Sequence, residues 1–121
     1  MKFLYDIDSG IPDTVRISSE WRATFRLSRF ADLIEEVHIQ LRPPQSNQTI
    51  SRFECRVRIS LLRGQEIVVQ EHSDIASQAA STGIDRASSA VGRFAQRQAR
   101  NHRRAEQKRC QEPFSPSLGL P

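Results

Sequence analysis

The 121-residue chain has only two cysteines, one tryptophan, one tyrosine and one methionine. Cys55 alternates with Phe53, Val57 and Ile59 and reads as a core position, while Cys110 follows an arginine run and reads as surface. The two are not expected to pair, and with three scattered histidines they supply no zinc-ligand spacing, so no metal site is expected. No stretch approaches the ~18 consecutive apolar residues that a membrane helix needs. The opening MKFLYDIDSG carries acids where a secretory signal would be apolar. A glycine-rich phosphate loop, a nucleophile elbow, internal repeats and low-complexity tracts are all missing. These absences predict a soluble, cytoplasmic protein that needs no cofactor or small-molecule substrate and is not an enzyme.

Acids are lacking in one further place. From Arg86 to Arg109 there are eight Lys/Arg against a single acid, Glu106, a net of +7, which leaves ten basic against thirteen acidic residues elsewhere. The overall charge of +4 therefore conceals a local cationic segment. Like charges three or four residues apart on a helix repel by a few tenths of a kcal/mol per pair, so clustering them gains nothing locally. Either the face is merely solvated or something anionic lies against it.

What is present is a pattern of alternating periods. VHIQLR places Val37, Ile39 and Leu41 on one side, and RFECRVRISL places Phe53, Cys55, Val57, Ile59 and Leu61 on one side with Arg52, Glu54, Arg56 and Arg58 on the other. Such period-two alternation predicts antiparallel strands with one buried and one wet face. PPQSNQTIS, Pro43 to Ser51, reads as a long hairpin loop, and Arg63-Gly64-Gln65 as a tight turn into a strand from Glu66 to Glu71. Met1 to Asp8 reads as a first strand. From about Asp13 to about Arg29 a helix is predicted, with Ile17, Trp21, Phe25 and Ser28 on its packed stripe and Arg22, Arg26 and Arg29 away from it.

A last, long helix is predicted to open at the capping pair Ser73-Asp74. Its apolar arc is Ala76, Ala80, Gly83, Ile84, Ala87, Val91, Phe94 and Ala95, while Arg86, Arg93, Arg97, Arg100, Arg104 and Lys108 fall within ~80° of one another on a different side. Beyond Ala95 the arc continues with Gln98, His102 and Arg109, so packing is expected to stop there. The order is β-α-β-β-β-α, an α+β fold of a four-stranded sheet with two helices packed on one face. One domain is predicted over 1–105, with 106–121 as a flexible C-terminal tail.

Arginine outnumbers lysine seven to one in the basic segment, and a guanidinium fork suits phosphate oxygens. Nucleic acid is the best-fitting partner, and RNA is preferred because a helix flat on a sheet offers a broad basic surface for a folded shape. A membrane partner fits poorly, since the face opposite the arginines is needed for the core. His38 beside Glu36 on an outward strand face is the one sketch of an acid/base pair, and an enzyme built on it would need a concave pocket around both.

The stretches LSRFADLIEEVHIQL, RFECRVRIS and GQEIVVQEHSDIASQAASTGIDRASSAVGRF resemble the family of ribosome hibernation promoting factors and ribosome-associated inhibitors, also described as sigma-54 modulation proteins. The strand pattern matches at Ile34, Val37, Ile39 and Leu41 and the helix step at Asp85, Arg86 and Ala87, whereas Ser88, Ser89 and Gly92 stand where the family often has charged residues. The resemblance spans roughly Met1 to His102. It implies a short-form protein without a second domain, which binds ribosomal RNA of the small subunit between head and body and silences translation by covering the messenger and transfer RNA sites. By position, it implies that Arg86 and Arg93 face ribosomal RNA. Arg97, Arg100, Arg104 and Lys108 extend that stripe by geometry, and Arg56 and Arg58 on the sheet face are lesser candidates. The rival expectation is an interaction module that docks its basic helix on an acidic protein. Either protein is expected to be a monomer or a weak homodimer.

Overall fold

The computed structural model describes residues 1–44 and 52–118, with side chains as far as residue 101. Beyond Pro44, the expected loop to Ser51 lies outside the described residues. The elements run β1 (Lys2–Ile7), α1 (Asp13–Leu27), a 3₁₀ turn (Ser28–Phe30), β2 (Ile34–Arg42), β3 (Phe53–Leu61), β4 (Glu66–Ser73) and α2 (Ala76–Leu118), the α+β order read from the sequence. Two compact units divide the chain, Met1–Val91 and Gly92–Pro121. The boundary falls inside the stretch 1–105 that the sequence reads as one domain. The stretch 106–121, expected to be a tail, has helical backbone as far as Leu118, and its side chains lie outside the description.

In the first unit the strands lie in the order β1-β2-β3-β4. β1 is parallel to β2, so the intervening α1 must cross over the sheet, and the other pairs are antiparallel. One inward row joins Tyr5, Ile39, Val57 and Val69, and the next joins Ile7, Leu41, Cys55 and Glu71. Val37, Ile39, Leu41, Cys55, Val57 and Ile59 are wholly buried, each large aliphatic among them worth roughly 1.5–3 kcal/mol in removal from water. The bulge between Ile34 and Glu36 explains why β2 starts earlier than its alternation shows: Ile34 and Val37, three residues apart, are both buried.

At the β3–β4 hairpin Gly64 takes φ 81°, and its N–H donates to the Leu61 carbonyl at 3.0 Å. A side chain at that position would be strained. β4 runs two residues beyond its expected end because His72 and Ser73 still pair with Glu54 and Phe53. That extension moves the start of α2. Ser73, expected as a cap, accepts the Ile75 N–H on its Oγ at 3.2 Å, and the first helical bonds go to the Ile75 carbonyl from Gln78 and Ala79.

Ala76, Ala80, Ile84, Ala87 and Val91 are buried on α2 as their spacing predicts, joined by Ala79 and Ser88. Gly83 is there because of close approach: a Cβ on it would lie 2.9 Å from Cys55 Sγ and 3.7 Å from Val57 Cγ2.

α1 corrects the sequence reading. Its buried residues are Ser19, Ala23 and Leu27, whereas Ile17 (53% exposed), Trp21 (74%) and Phe25 (79%) face solvent. Hydropathy ranks the aromatic stripe first, but volume decided the packing, since Ala23 is completely buried where an aromatic ring would not fit. Tyr5 on β1 shares a hydrogen bond with Thr24, and burial raises its pKa above the ordinary tyrosine value despite that bond.

Candidate nucleic-acid interface

In the second unit Arg93, Arg97 and Arg100 lie on one helix and are all exposed. At ~100° per residue they fall within about 60° of one another. No Asp or Glu occurs between Arg86 and Ala105, so no acid along this stretch of helix can neutralise them at i±3 or i±4. Their charges find no carboxylate among the described residues. Arg104 and Lys108 continue the spacing, with side chains outside the description. Phe94 in the same unit is 8% exposed.

The candidate cations of the first unit are arranged differently. Arg86 is exposed, yet its guanidinium donates to the carboxylate of Glu71, which occupies an inward-facing position of β4 and has a side chain only 15% exposed. Arg86 thus compensates a largely buried acid. Arg58 pairs with Glu66 at 2.5 Å across the β3–β4 ladder. Arg56 lies between Gln40 and Gln70 in its cross-strand row and has no carboxylate partner among the described residues.

Asp85 makes the most elaborate ion cluster of the described residues. Arg22 Nε and Nη2 donate to its two oxygens at 3.0 and 2.8 Å, and Arg26 Nε lies 3.3 Å away. The Arg22 hydrogen bonds, together with the charges of Arg22 and Arg26, outweigh desolvation and hold the Asp85 carboxyl below its ordinary range. Ser88 Oγ donates to the Arg26 carbonyl at 3.3 Å. Ser88 is therefore a buried tie between α2 and α1, not a surface position where a charge could stand. Sequence reasoning placed Arg22 and Arg26 off the apolar stripe but could not name their partner, because Asp85 is 63 residues away from Arg22.

His38 and Glu36 lie two apart on the open face of the sheet, opposite Arg58 and Ser60. The hollow beside His38 is lined by His38, Gln40, Arg56 and Arg58, without Glu36, and holds about 80 Å³. Small-molecule sites usually run from about 300 Å³ upward. That hollow is therefore not one that His38 and Glu36 share. Among the described residues no group of three His, Cys, Asp or Glu could hold a metal ion, and no helix is long and apolar enough to cross a membrane.

The fold of this chain is also found in solved proteins. The N-terminal domain of Protein Y from Thermus thermophilus matches with a TM-score of 0.61 at 21% identity, over 78% of this chain and 99% of that one. This chain has the Protein Y fold. A ribosomal subunit interface protein from Coxiella burnetii has it too, matching with a TM-score of 0.56 at 15% identity over 78% of this chain and 98% of its own. No family model and no curated protein matches the sequence. The architecture that the sequence resemblance implied is thus the one these two structures display.

Proposed function

We propose that this protein is a non-enzymatic, ribosome-binding inhibitor of translation, which binds RNA of the small subunit and covers the messenger and transfer RNA sites. The observation that carries the reading is the row of Arg93, Arg97 and Arg100, exposed on one helix with no described carboxylate to neutralise them. Its fold likeness to a protein described as a ribosomal subunit interface protein supports the same reading. The mechanism is occlusion: guanidinium-to-phosphate contacts supply affinity, and the shape of the RNA-lined cleft supplies specificity. Arg104 and Lys108 would extend the row, and Arg56 would contribute from the sheet face. Arg86 and Arg58 would contribute less, because binding phosphate competes with the carboxylates they already hold. A ribosome partner places the protein in the cytoplasm.

Sedimentation of lysate from starved cells through sucrose tests the proposal. Co-migration with the small subunit or the whole ribosome is expected, and joint replacement of Arg93, Arg97 and Arg100 by Glu should return the protein to the light fractions. Each phosphate contact adds about 0.7–0.9 to the slope of log affinity against log salt, so neutralising these three should lower the slope by about 2 to 3. A wild-type chain that stays in the light fractions refutes ribosome binding and favours an acidic protein partner for the basic helix.

A further inference from the structure

A hollow opens on the outward face of the sheet. Alternation along β2 and β3 turns His38, Gln40, Arg56 and Arg58 to that face together, because Val37, Ile39, Leu41, Cys55, Val57 and Ile59 take the buried parity. The strand register fixes their arrangement, with His38 opposite Arg58 and Gln40 opposite Arg56. Facing residues stand about 5 Å apart, and next-but-one residues about 7 Å apart along a strand. The four side chains therefore rise from the corners of a small rectangle. They line a space of about 80 Å³, below the ~300 Å³ of small-molecule sites but enough for several waters or for one tetrahedral phosphate group.

Every side chain in this lining can donate a hydrogen bond, and none is an acid. The Arg56 guanidinium carries five N–H groups, the Gln40 amide two, and the His38 imidazole one even when neutral. None of these three side chains has a hydrogen-bond or ion-pair partner among the described residues. Arg58 gives its Nε to Glu66, and its Nη hydrogens remain for another acceptor. The acids of this face are committed or stand aside. Glu66 holds Arg58, Glu54 accepts from the Gln70 amide, Asp6 lines a separate hollow with Asp8, Leu41, Arg42 and Pro43, and Glu36 lies outside the lining. Two guanidiniums side by side without a carboxylate in the lining repel each other until an anion lies between them.

The lining also selects among anions. A carboxylate brings one charge and two oxygens, whereas a phosphomonoester brings close to two charges and three non-bridging oxygens, which matches two guanidinium forks and an amide. A phosphodiester brings one charge and must lead both of its ester links back out of the hollow. We propose that this hollow is a binding site for a phosphomonoester dianion, held by Arg56 and Arg58 with Gln40 and His38 as further donors. Arg56 contributes most, since Arg58 is shared with Glu66. The same group is carried by a free nucleoside monophosphate and by the 5′-terminal phosphate of an RNA strand, and in either case only the phosphate enters. The site uses none of Arg93, Arg97 and Arg100, so it stands or falls separately from ribosome binding.

The test titrates the isotopically labelled full chain with inorganic phosphate at constant ionic strength and follows the backbone amides by NMR. Shifts should concentrate at His38, Gln40, Arg56 and Arg58 and saturate with a dissociation constant of about 1–10 mM, as suits a ligand of few atoms on an open surface. Arg56→Gln should weaken binding roughly tenfold or more, as loss of charge-assisted hydrogen bonds does. Glu66→Gln should tighten it severalfold by releasing Arg58 Nε, a gain that damage to the fold would not produce. Uridine 5′-monophosphate and a 5′-phosphorylated RNA tetranucleotide, each against its 5′-hydroxyl counterpart, separate the two sources. Tighter binding of the phosphorylated tetranucleotide than of the mononucleotide identifies an RNA end, and equal binding identifies a free nucleotide. Shifts spread evenly over the exposed arginines overturn the proposal. So does an affinity unmoved by Arg56→Gln, or a 5′-hydroxyl form that binds as well as the 5′-phosphate.

Discussion

Replacing Gly83 by alanine sets two opposing effects against each other within one residue. On helix propensity alone, alanine in a helix interior is better than glycine by about 1 kcal/mol. The new Cβ would, however, meet Cys55 Sγ at 2.9 Å and Cys55 Cβ at 3.5 Å. Cys55 is completely buried on β3, one of the two inner strands, and its side chain is too short to swing clear. Inserting one carbon into so tight a contact costs about 1–3 kcal/mol, so Gly83→Ala should destabilise the fold by about 1 kcal/mol net. Cys55→Ala removes the obstructing sulfur. In that background the same Gly83→Ala substitution should become stabilising by about the propensity difference, since the methyl group occupies the vacated space. The interaction energy of the pair is then about 2 kcal/mol, favouring the double variant, well above what distant sites show. Urea unfolding followed by circular dichroism measures all four corners of the cycle. A Gly83→Ala change that is equally stabilising with and without Cys55 would refute the close approach of α2 to β3.

Two further predictions concern titratable groups. Asp85 has a carboxyl held below its ordinary value of 3.8 by Arg22 and Arg26, so its contribution is present above about pH 4 and is lost as the pH falls through the lower folded value. Asp85→Asn should therefore be less stable than the wild type at neutral pH, by about 1 kcal/mol or less because both partners are more than a third exposed, and the difference should shrink in acid, as read from unfolding midpoints at several pH values. Burial, then the nearby Glu71 and Glu54, push the Cys55 thiol up to about 12. At pH 8 it should resist alkylation in the folded protein and react promptly once urea unfolds it, which peptide mass mapping resolves. Ready labelling of native Cys55 would contradict its place in the core.

The strands were legible because alternation needs only neighbours to express it: Val37, Ile39 and Leu41, or Cys55, Val57 and Ile59, are buried in the parity that their order dictates. The bulge at Ile34 to Glu36 broke that parity and hid the start of β2. On α2 the arc from Ala76 to Val91 was readable because one stripe is apolar and nothing competes with it. On α1 two stripes competed, and hydropathy chose the wrong one. The candidate arginines were legible as a charge pattern, but the pairing of Arg86 with Glu71 and of Arg58 with Glu66 was not, since the first depends on how α2 lies against β4 and the second on which strand lies beside β3.

Sequence by itself determined the element order, the buried parity of the strands and the concentration of positive charge after Arg86, because these rest on local spacing along the chain. Only the tertiary structure decided which side of α1 faces the sheet, which arginines are already held by acids and how closely Gly83 approaches Cys55. Those depend on volume and on distances between residues far apart in the chain, such as Arg22 and Asp85, and no periodicity encodes them.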